Sequence, residues 1–562
     1  MHVLSAAEMQ ACDRITTERF GVPSIELMRA ASAAVAAFAR QQFPEARWVT
    51  ILCGRGNNGG DGLMTARLLA ADGLDVTVLL LGSPDSLKGD AAQAWQELRN
   101  SESSSEGALD GGRIHVIQSA EDLARHNDAL DADLIIDAVL GTGFKPPMKG
   151  LALATLHWLN ESHSKTQAPV LSIDLPSGWE ADATSAAPAG PVFPADAVIT
   201  FTAPKPAHLF GQLTRRWDQP VVVAQIGSPE EAITASLDPK SPRYHWTGSA
   251  LALTQIPRAA AANKGNYGHV LIVGGTFGSA GGKAGAPAMA ALAALRAGAG
   301  LVTAAVPAPA LAVVSAVAPE LMTHPLTATP TGCISEENIA PEQLAALLRG
   351  KTLLAIGPGL GQSPETAKFA LELLAATKIP AVIDADALNI LAAQPSLLPE
   401  LAKDRKVVLT PHPGEMARLA GITVAEVQAD RLGVARDFSR RYGVTLVLKG
   451  ARTLVAHPDG RLSINTTGNP GMAKGGSGDL LTGLIAGLLA QHPEEPSRAV
   501  EAAVYLHGLA ADMAVRAADQ HTLLATDSLR YLHGAFQFPD FHFHLHSNNR
   551  YVWLQGLPLE LS

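Results

Sequence analysis

Asn469-Pro-Gly-Met-Ala-Lys-Gly-Gly-Ser-Gly-Asp479, followed by Leu-Leu-Thr-Gly, is the stretch from which the second half of the chain is read. Gly471, Gly475, Gly476 and Gly478 strip side chains from one short loop, as a backbone requires when it must approach something closely. From Leu480 the pattern turns apolar and helical. Free N–H groups at such a helix start form a ready anion site, and Asp479 stands at its mouth. An acid there repels a bound phosphate, so it makes sense only where it takes a proton from the group that attacks the phosphate. A plain turn with Asp479 as helix cap is the alternative; the crowding of four glycines and Lys474 argues against it. The helix start also predicts a lowered pKa for Asp479.

Outward from this loop, the second half repeats one pattern, a short apolar run followed by a polar, Gly-rich loop. His269 to Val273 leads to Gly274-Gly275, and Leu353 to Ile356 to Gly357-Pro-Gly359-Leu-Gly361. Ala381 to Ile383 leads to Asp384-Ala-Asp386, Val407 to Leu409 to Thr410-Pro-His412-Pro-Gly-Glu415, and Thr445 to Leu448 to Lys449-Gly450-Ala451-Arg452-Thr453. The loop near Lys283 is no Walker P-loop, since Phe277 and Ala284 stand where Gly and Ser or Thr belong. The first half behaves alike. Trp48 to Cys53 leads into Gly54-Arg-Gly56-Asn57-Asn58-Gly59-Gly60-Asp61-Gly62 with a helix from Leu63, and Leu134 to Ala138 into Gly141-Thr142-Gly143-Phe144-Lys145-Pro146-Pro147. Pro169 to Ile173 leads into Asp174-Leu-Pro-Ser177-Gly, and Ala197 to Thr202 into Lys205-Pro206. Buried strands alternating with helices predict parallel sheets covered on both faces, with ligands at the carboxyl ends of the strands.

At 562 residues the chain exceeds one ordinary core. A net charge of −10 without a basic stripe argues against a nucleic-acid partner. Cys12, Cys53 and Cys333 are far apart, which gives no zinc site and fits a reducing cytoplasm. Neither a signal peptide nor a membrane span is read; Ala30 to Ala39 is apolar but short. Gly54-x-Gly56-x-x-Gly59 formally matches a dinucleotide fingerprint, but the next strand ends Leu-Leu-Leu-Gly82 without the acid that a ribose needs.

Asn57 to Gly62, Asp137 with Gly141-Thr-Gly143, and Asp174-Leu-Pro-Ser177-Gly together resemble the epimerase domain of the NAD(P)H-hydrate repair enzymes, from about Leu4 to Ile226. Ser32 departs from that pattern, where Gly is expected. From about Tyr244 to Arg530, Lys264-Gly-Asn, Gly357-Pro-Gly, Thr410-Pro-His-Pro-Gly-Glu and the Gly-Gly-Ser-Gly-Asp loop resemble, in family order, the ribokinase-like dehydratase domain of the same family. The resemblance implies an α/β chain of two domains: a Rossmann-like three-layer sandwich over 1–227 and a ribokinase-like domain over 228–534. Residues 535–562 resemble nothing in the family and are read as a tail without a part in catalysis.

For function, the resemblance implies repair of hydrated NADH and NADPH, which carry a hydroxyl at C6 of the nicotinamide ring. The first domain interconverts the R and S forms. The second dehydrates the S form with ADP, giving AMP and phosphate, through phosphorylation and elimination. Asn57, Asn58, Gly59, Gly60, Asp61, Gly141 to Pro147 and Asp174 are expected to bind the hydrated nucleotide, with Asp174 as acid/base. Asn58, Asp137 and Ser177 map onto a potassium site. Ala286, Gly359, His412 and Asp479 are expected at the second site's substrate, with Asp479 as base. Lys449, Gly450, Ala451, Arg452, Thr453 and Gly478 are expected at the adenine nucleotide, and Asp384 and Asp386 either help to hold magnesium or shape a turn. A homo-oligomer is expected. Two rival readings are a small-metabolite kinase and a first half that only binds nucleotide or protein.

Overall fold

The computed structural model describes residues 1–101, 113–166, 168–278, 281–538 and 551–558. Its strands are β1 (Trp48–Cys53), β2 (Asp75–Leu81), β3 (Ile114–Ile117), β4 (Leu134–Ala138), β5 (Val170–Ile173), β6 (Ala197–Phe201), β7 (Val221–Ala224), β8 (Tyr244–Trp246), β9 (His269–Val273), β10 (Phe277–Gly278), β11 (Gly281–Gly282), β12 (Leu301–Pro307), β13 (Met322–Leu326), β14 (Leu353–Ile356), β15 (Ala381–Ile383), β16 (Val407–Leu409), β17 (Thr445–Leu448), β18 (Leu454–Ala456), β19 (Leu462–Ile464) and β20 (Tyr551–Gln555). The chain forms two units, Met1–Pro242 with Phe541–Ser562, and Arg243–Asp540.

The first unit holds a sheet in the order β20-β7-β6-β5-β4-β1-β2-β3. β1 to β7 pair in parallel, and β20 pairs antiparallel with β7. Residues of β1, β4, β5, β6 and β7 are buried on both faces, apart from the half-buried Trp48, as near-continuous apolar runs require. One face packs on the helices Ser24–Gln42 and Asn57–Ala71, the other on Gly150–Thr166. The chain reverses direction of travel between β1 and β4, so the loops after those strands part there and leave a crevice.

Three expectations are corrected here. The helix begins at Asn57, not Leu63, with Gly56 as N-cap. Gly59 is there because a Cβ would lie 1.9 Å from the Gly54 carbonyl oxygen, so the helix start can press onto the strand end. The stretch from Ser228 to Pro242 belongs to the first unit: the helix Glu230–Ser236 buries Ala232 and Ile233 against Leu4, Met9 and Cys12. Thirdly, the supposed tail supplies β20. Tyr551 and Trp553 are buried in the main core, edge-on to Phe38, and the Tyr551 hydroxyl donates to the Ala34 carbonyl at 2.8 Å. The three tail histidines, His542, His544 and His546, lie outside the described residues.

The second unit holds a ten-stranded sheet ordered β13-β12-β9-β14-β15-β16-β17-β18-β19-β8. β13 to β17 follow the expected parallel pattern, and β18 and β19 extend it antiparallel. Here the crevice falls between β9 and β14. The helix Ser477–Gln491 is buried from Leu480 to Ala490. Gly483 lets it sit against the helix Gly285–Arg296, where a Cβ would lie 2.0 Å from the Ala290 carbonyl oxygen. This packing aims its first turn at the carboxyl ends of the strands.

Candidate functional sites

A cavity of about 580 Å³ opens at the crevice of the first sheet. Asn57, Asn58 and Asp61 line it from one helix, Gly141, Thr142, Gly143 and Phe144 from the loop after β4, and Asp174 from the end of β5. Gly59 and Gly60 are buried inside the helix, and Lys145 turns away to Glu180 and Asp182 at 3.2 and 3.6 Å. Pro146 and Pro147 continue that loop beyond the lining.

Asp174 sits at φ +65°, a left-handed conformation that a non-glycine residue adopts at a cost. One carboxylate oxygen accepts from Lys205 Nζ at 3.0 Å and Thr200 Oγ1 at 2.8 Å. The other accepts from the Thr142 amide at 2.8 Å and from the Thr142 hydroxyl. Burial alone would raise this carboxyl, but the Lys205 ammonium and these donors hold it far below the usual range. His208 stands behind the pair. Its Nδ1 accepts from the Lys205 amide at 3.0 Å, so Nε2 donates to the Asp174 carbonyl at 2.7 Å. Burial and then the Lys205 charge push its pKa down to about 4, keeping the ring neutral.

Lys205 was the residue that sequence reasoning passed over. It follows a strand at the same sheet edge as the residues singled out, which was the available signal. Asp13, on the helix Ala6–Phe20, also lines the cavity and carries no such signal.

Asp137 lies behind the cavity, fully buried. It accepts from the Ser177 hydroxyl at 2.6 Å, the Ser177 amide at 2.8 Å, the Ser172 hydroxyl at 3.1 Å and the Val139 amide at 3.2 Å. Burial raises its pKa against these hydrogen bonds. The Asn58 side-chain nitrogen is buried without a partner. Oxygen and nitrogen of such an amide are interchangeable by a flip, so the Asn58 side chain has a polar atom left to offer a ligand.

The second site is built around Asp384, at the end of β15. It is buried, accepting from Lys449 Nζ at 2.9 Å and Thr482 Oγ1 at 2.7 Å. Lys449 also approaches Glu415 at 3.8 Å. Asp386 accepts from the Gly361 amide at 2.9 Å, Gln362 at 2.8 Å and Lys283 at 3.2 Å. In both acids burial is outweighed, by the Lys449 charge at Asp384 and by these donors at Asp386, and both pKa values fall.

Asp479 is the exception, and the expected lowering is wrong. Burial first, then the Asp384 charge, raise it to about 6 against the opposing pull of Lys449. It occupies the third residue of the helix Ser477–Gln491, yet no side-chain hydrogen bond caps that helix. The dipole of the helix start is outweighed by burial first and by the Asp384 charge second.

His412 is the N-cap of Pro413–Ala420. Its Nδ1 accepts from the amides of Gly414 and Glu415 at 3.0 and 3.3 Å, which leaves the proton on Nε2. Gly359, at φ +62°, would place a Cβ 2.6 Å from the Lys283 carbonyl oxygen and 3.2 Å from Ala286. The protein's own backbone therefore excludes a side chain at Gly359. Gly478 lies over Lys449, whose Nζ would be 3.4 Å from an added Cβ. Arg452 is turned inward at φ +54°, donating to the Thr466 carbonyl at 3.0 Å. Thr453 donates to the Gly450 carbonyl at 2.9 Å, and the Ala451 carbonyl is taken by Arg431 at 2.6 Å. Lys474 is tied to the His521 carbonyl. His507, unremarked in the sequence, brings Nε2 to 3.4 Å from Ser477 Oγ.

Two family models match the chain: "YjeF-related protein N-terminus" over residues 24–207 and "NAD(P)H-hydrate dehydratase" over 270–533. The bifunctional NAD(P)H-hydrate repair enzyme Nnr of Moorella thermoacetica is 41% identical, over 95% of this chain and 96% of its own. The enzyme of the same name from Escherichia coli is 37% identical, over 93% and 91%. Among solved structures, the ADP/ATP-dependent NAD(P)H-hydrate dehydratase of Bacillus subtilis, co-crystallized with ATP and magnesium, is 32% identical over 54% of this chain and 99% of its own, with a TM-score of 0.44. Both halves are matched and the likeness runs nearly end to end, so the chain belongs to the family of bifunctional NAD(P)H-hydrate repair enzymes.

Proposed function

We propose that the first unit interconverts the R and S hydrates of NADH and NADPH, and that the second dehydrates the S form with ADP. The observation that carries the second assignment is Asp479, a carboxyl raised to about 6 at the start of a helix whose first N–H groups are free of side-chain caps. Hydroxide leaves a ring carbon badly and phosphate leaves well. Asp479 takes the proton of the C6 hydroxyl as its oxygen attacks the terminal phosphorus of ADP. The phosphorus–oxygen bond to AMP breaks, and N–H groups from Gly475 to Gly478 stabilise the charge on the transferred group. Loss of phosphate from C6 and of a proton from C5 then restores the ring. His412, Gly359 and Ala286 border the hydrated ring. Lys449, Gly450 to Thr453 and Gly478 border the adenine nucleotide, Lys449 acting through its charge while bound to Asp384.

Among the described residues no three acidic, histidine or cysteine side chains gather to hold a metal. Magnesium would be brought by the nucleotide's phosphates, and Asp386 and Asp479 would supply carboxylate oxygens to it. Potassium is assigned to Asp137, Asn58 and Ser177, supported by a buried carboxylate whose pKa burial raises and by the orphaned Asn58 amide. Bound there, it would neutralise Asp137 and tie together the loops that line the cavity. Among the described residues no helix is long and apolar enough to cross a membrane.

The test is recovery of NADPH absorbance from its separated hydrates. The S form should recover on adding ADP and magnesium. The R form should recover only at the rate at which it is first epimerised. A kinase would instead consume the nucleotide and leave a stable phosphorylated product without restoring absorbance.

A further inference from the structure

Six charged side chains face the cavity of the first unit: Asp13, Arg55, Asp61, Asp90, Asp174 and Lys205. Asp174, which the sequence nominated as acid/base, already has four donors on its two oxygens. It offers no lone pair to a substrate proton without losing Lys205 or a threonine. Asp13 and Asp61 are placed differently. They line the cavity from two helices, Ala6–Phe20 and Asn57–Ala71, and neither carboxyl has a hydrogen-bond or ion-pair partner among the described residues.

Resting on the epimerisation assigned above, we infer that Asp13 and Asp61 are the groups that move protons at the hydrated ring, while Asp174 is a fixed counter-charge that holds Lys205. The carbon to be inverted carries a hydroxyl and is bonded to ring nitrogen N1. Asp13 removes the hydroxyl proton as C6 forms a carbonyl. The C6–N1 bond breaks, its electron pair goes to N1, and Asp61 gives N1 a proton. The aldehyde turns about its bond to C5. N1 then attacks the other face, Asp61 takes back the N1 proton, and Asp13 returns its proton to the oxygen. Nothing is oxidised or reduced, and both acids end as they began.

The electrostatics agree with these roles. Burial raises Asp13 to about 6, with Lys205 opposing, so it is ionised at neutral pH. Burial raises Asp61 well above its ordinary value, and the charges of Asp174, Asp13 and Asp90 add to this, which favours its protonated form. Two acids whose surroundings push their pKa values apart can serve as base and acid together.

The test uses the full chain, the R hydrate as substrate and no nucleotide, with the two forms separated by chromatography. Asp13→Asn and Asp61→Asn should each lower kcat about 100-fold or more, in the range of general acid–base loss, with KM within about threefold. The parent's kcat should be bell-shaped in pH. Asp13→Asn should lose the acidic limb and Asp61→Asn the alkaline limb. A variant within about threefold of the parent, or one slowed with both limbs intact, overturns the pair. If Asp61→Asn does not fold, Asp13→Asn on the other helix decides alone, with dehydration of the S form by the same preparation as the check on folding. A parent that does not interconvert the two forms at all overturns the underlying reading of this site together with the pair.

Discussion

Asp479 shows how a single carboxyl can be tuned against its own helix. Burial and the Asp384 charge act on it against Lys449, and they outweigh the lysine. The native protein therefore holds a proton between about pH 4 and pH 6 that the unfolded chain has released. Stability should fall as pH rises through that window and stay lower above it, because the folded state then carries an ionised acid at a cost. Asp479→Asn removes the cost. The variant should melt higher than the parent at pH 7.5 and no higher at pH 4, read by thermal denaturation without ligands. The same substitution removes the base, so dehydration should slow on the order of 10²–10⁴-fold. In the parent, dehydration should decline below about pH 6 as Asp479 takes up a proton. Lys449 supports this arrangement. Lys449→Met would leave Asp384 buried without its ion pair, a loss of about 3–5 kcal/mol by the measure of broken buried pairs. It would also move the acidic decline of dehydration to higher pH, since the Lys449 charge now lowers Asp479. A decline at unchanged pH in that variant would mean that Lys449 does not act on Asp479.

Elements differ in how plainly their sequences announce them. β1, β4, β9, β14, β15, β16 and β17 fall on the residues expected from apolar runs bounded by Gly, Asp or Pro. Such strands are buried on both faces, so the whole run is apolar and its ends are sharp. β20 was missed for the opposite reason. Tyr551-Val-Trp-Leu-Gln555 follows a stretch rich in His and Phe, far along the chain from its partner β7, and only the fold brings the two together. Asp174 and Asn57 were legible because they end strands or open helices at the crevice. Lys205 is legible by the same rule, since it follows β6 at that edge, whereas Asp13 reaches the cavity from a helix that precedes the sheet and has no local signature. The prediction at this scale concerns β20. Trp553 is 4% exposed and packs edge-on to Phe38. Trp553→Ala should cost about 3–5 kcal/mol, as large-to-small changes in a core do. The melting transition that carries epimerisation should fall by several degrees, while dehydration survives to the parent's temperature, because the second unit ends at Asp540. Loss of both activities at one lowered temperature would contradict it.

At the scale of the whole chain, the first unit is discontinuous, and this decides what can be cut. A boundary at residue 227 looked natural, because the polar stretch from Gly227 to Tyr244 has two prolines near its end and no strong period. It would remove two things that the first unit uses. The helix Glu230–Ser236 closes a small core over Leu4, Met9 and Cys12, and the Asp238 amide donates to Glu8 at 2.9 Å. β20 covers the edge of β7 and fills the core beside Phe38. Without it, β7 becomes an exposed apolar edge strand, a template for aggregation. A fragment of residues 1–227 should therefore be insoluble or molten. A fragment of Met1–Pro242 joined by a flexible linker to Phe541–Ser562 should fold and interconvert the R and S hydrates. Adding the segment from 541 as a separate peptide to Met1–Pro242 should restore part of that activity, in proportion to peptide concentration, because pairing then costs the entropy of association. Val552→Pro in the linked fragment removes a backbone donor and disturbs the ladder opposite Val223. It should therefore lower the melting temperature and the epimerisation rate together. A 1–227 fragment that melts cooperatively and epimerises at the parent's rate would show that the unit closes without its last strand.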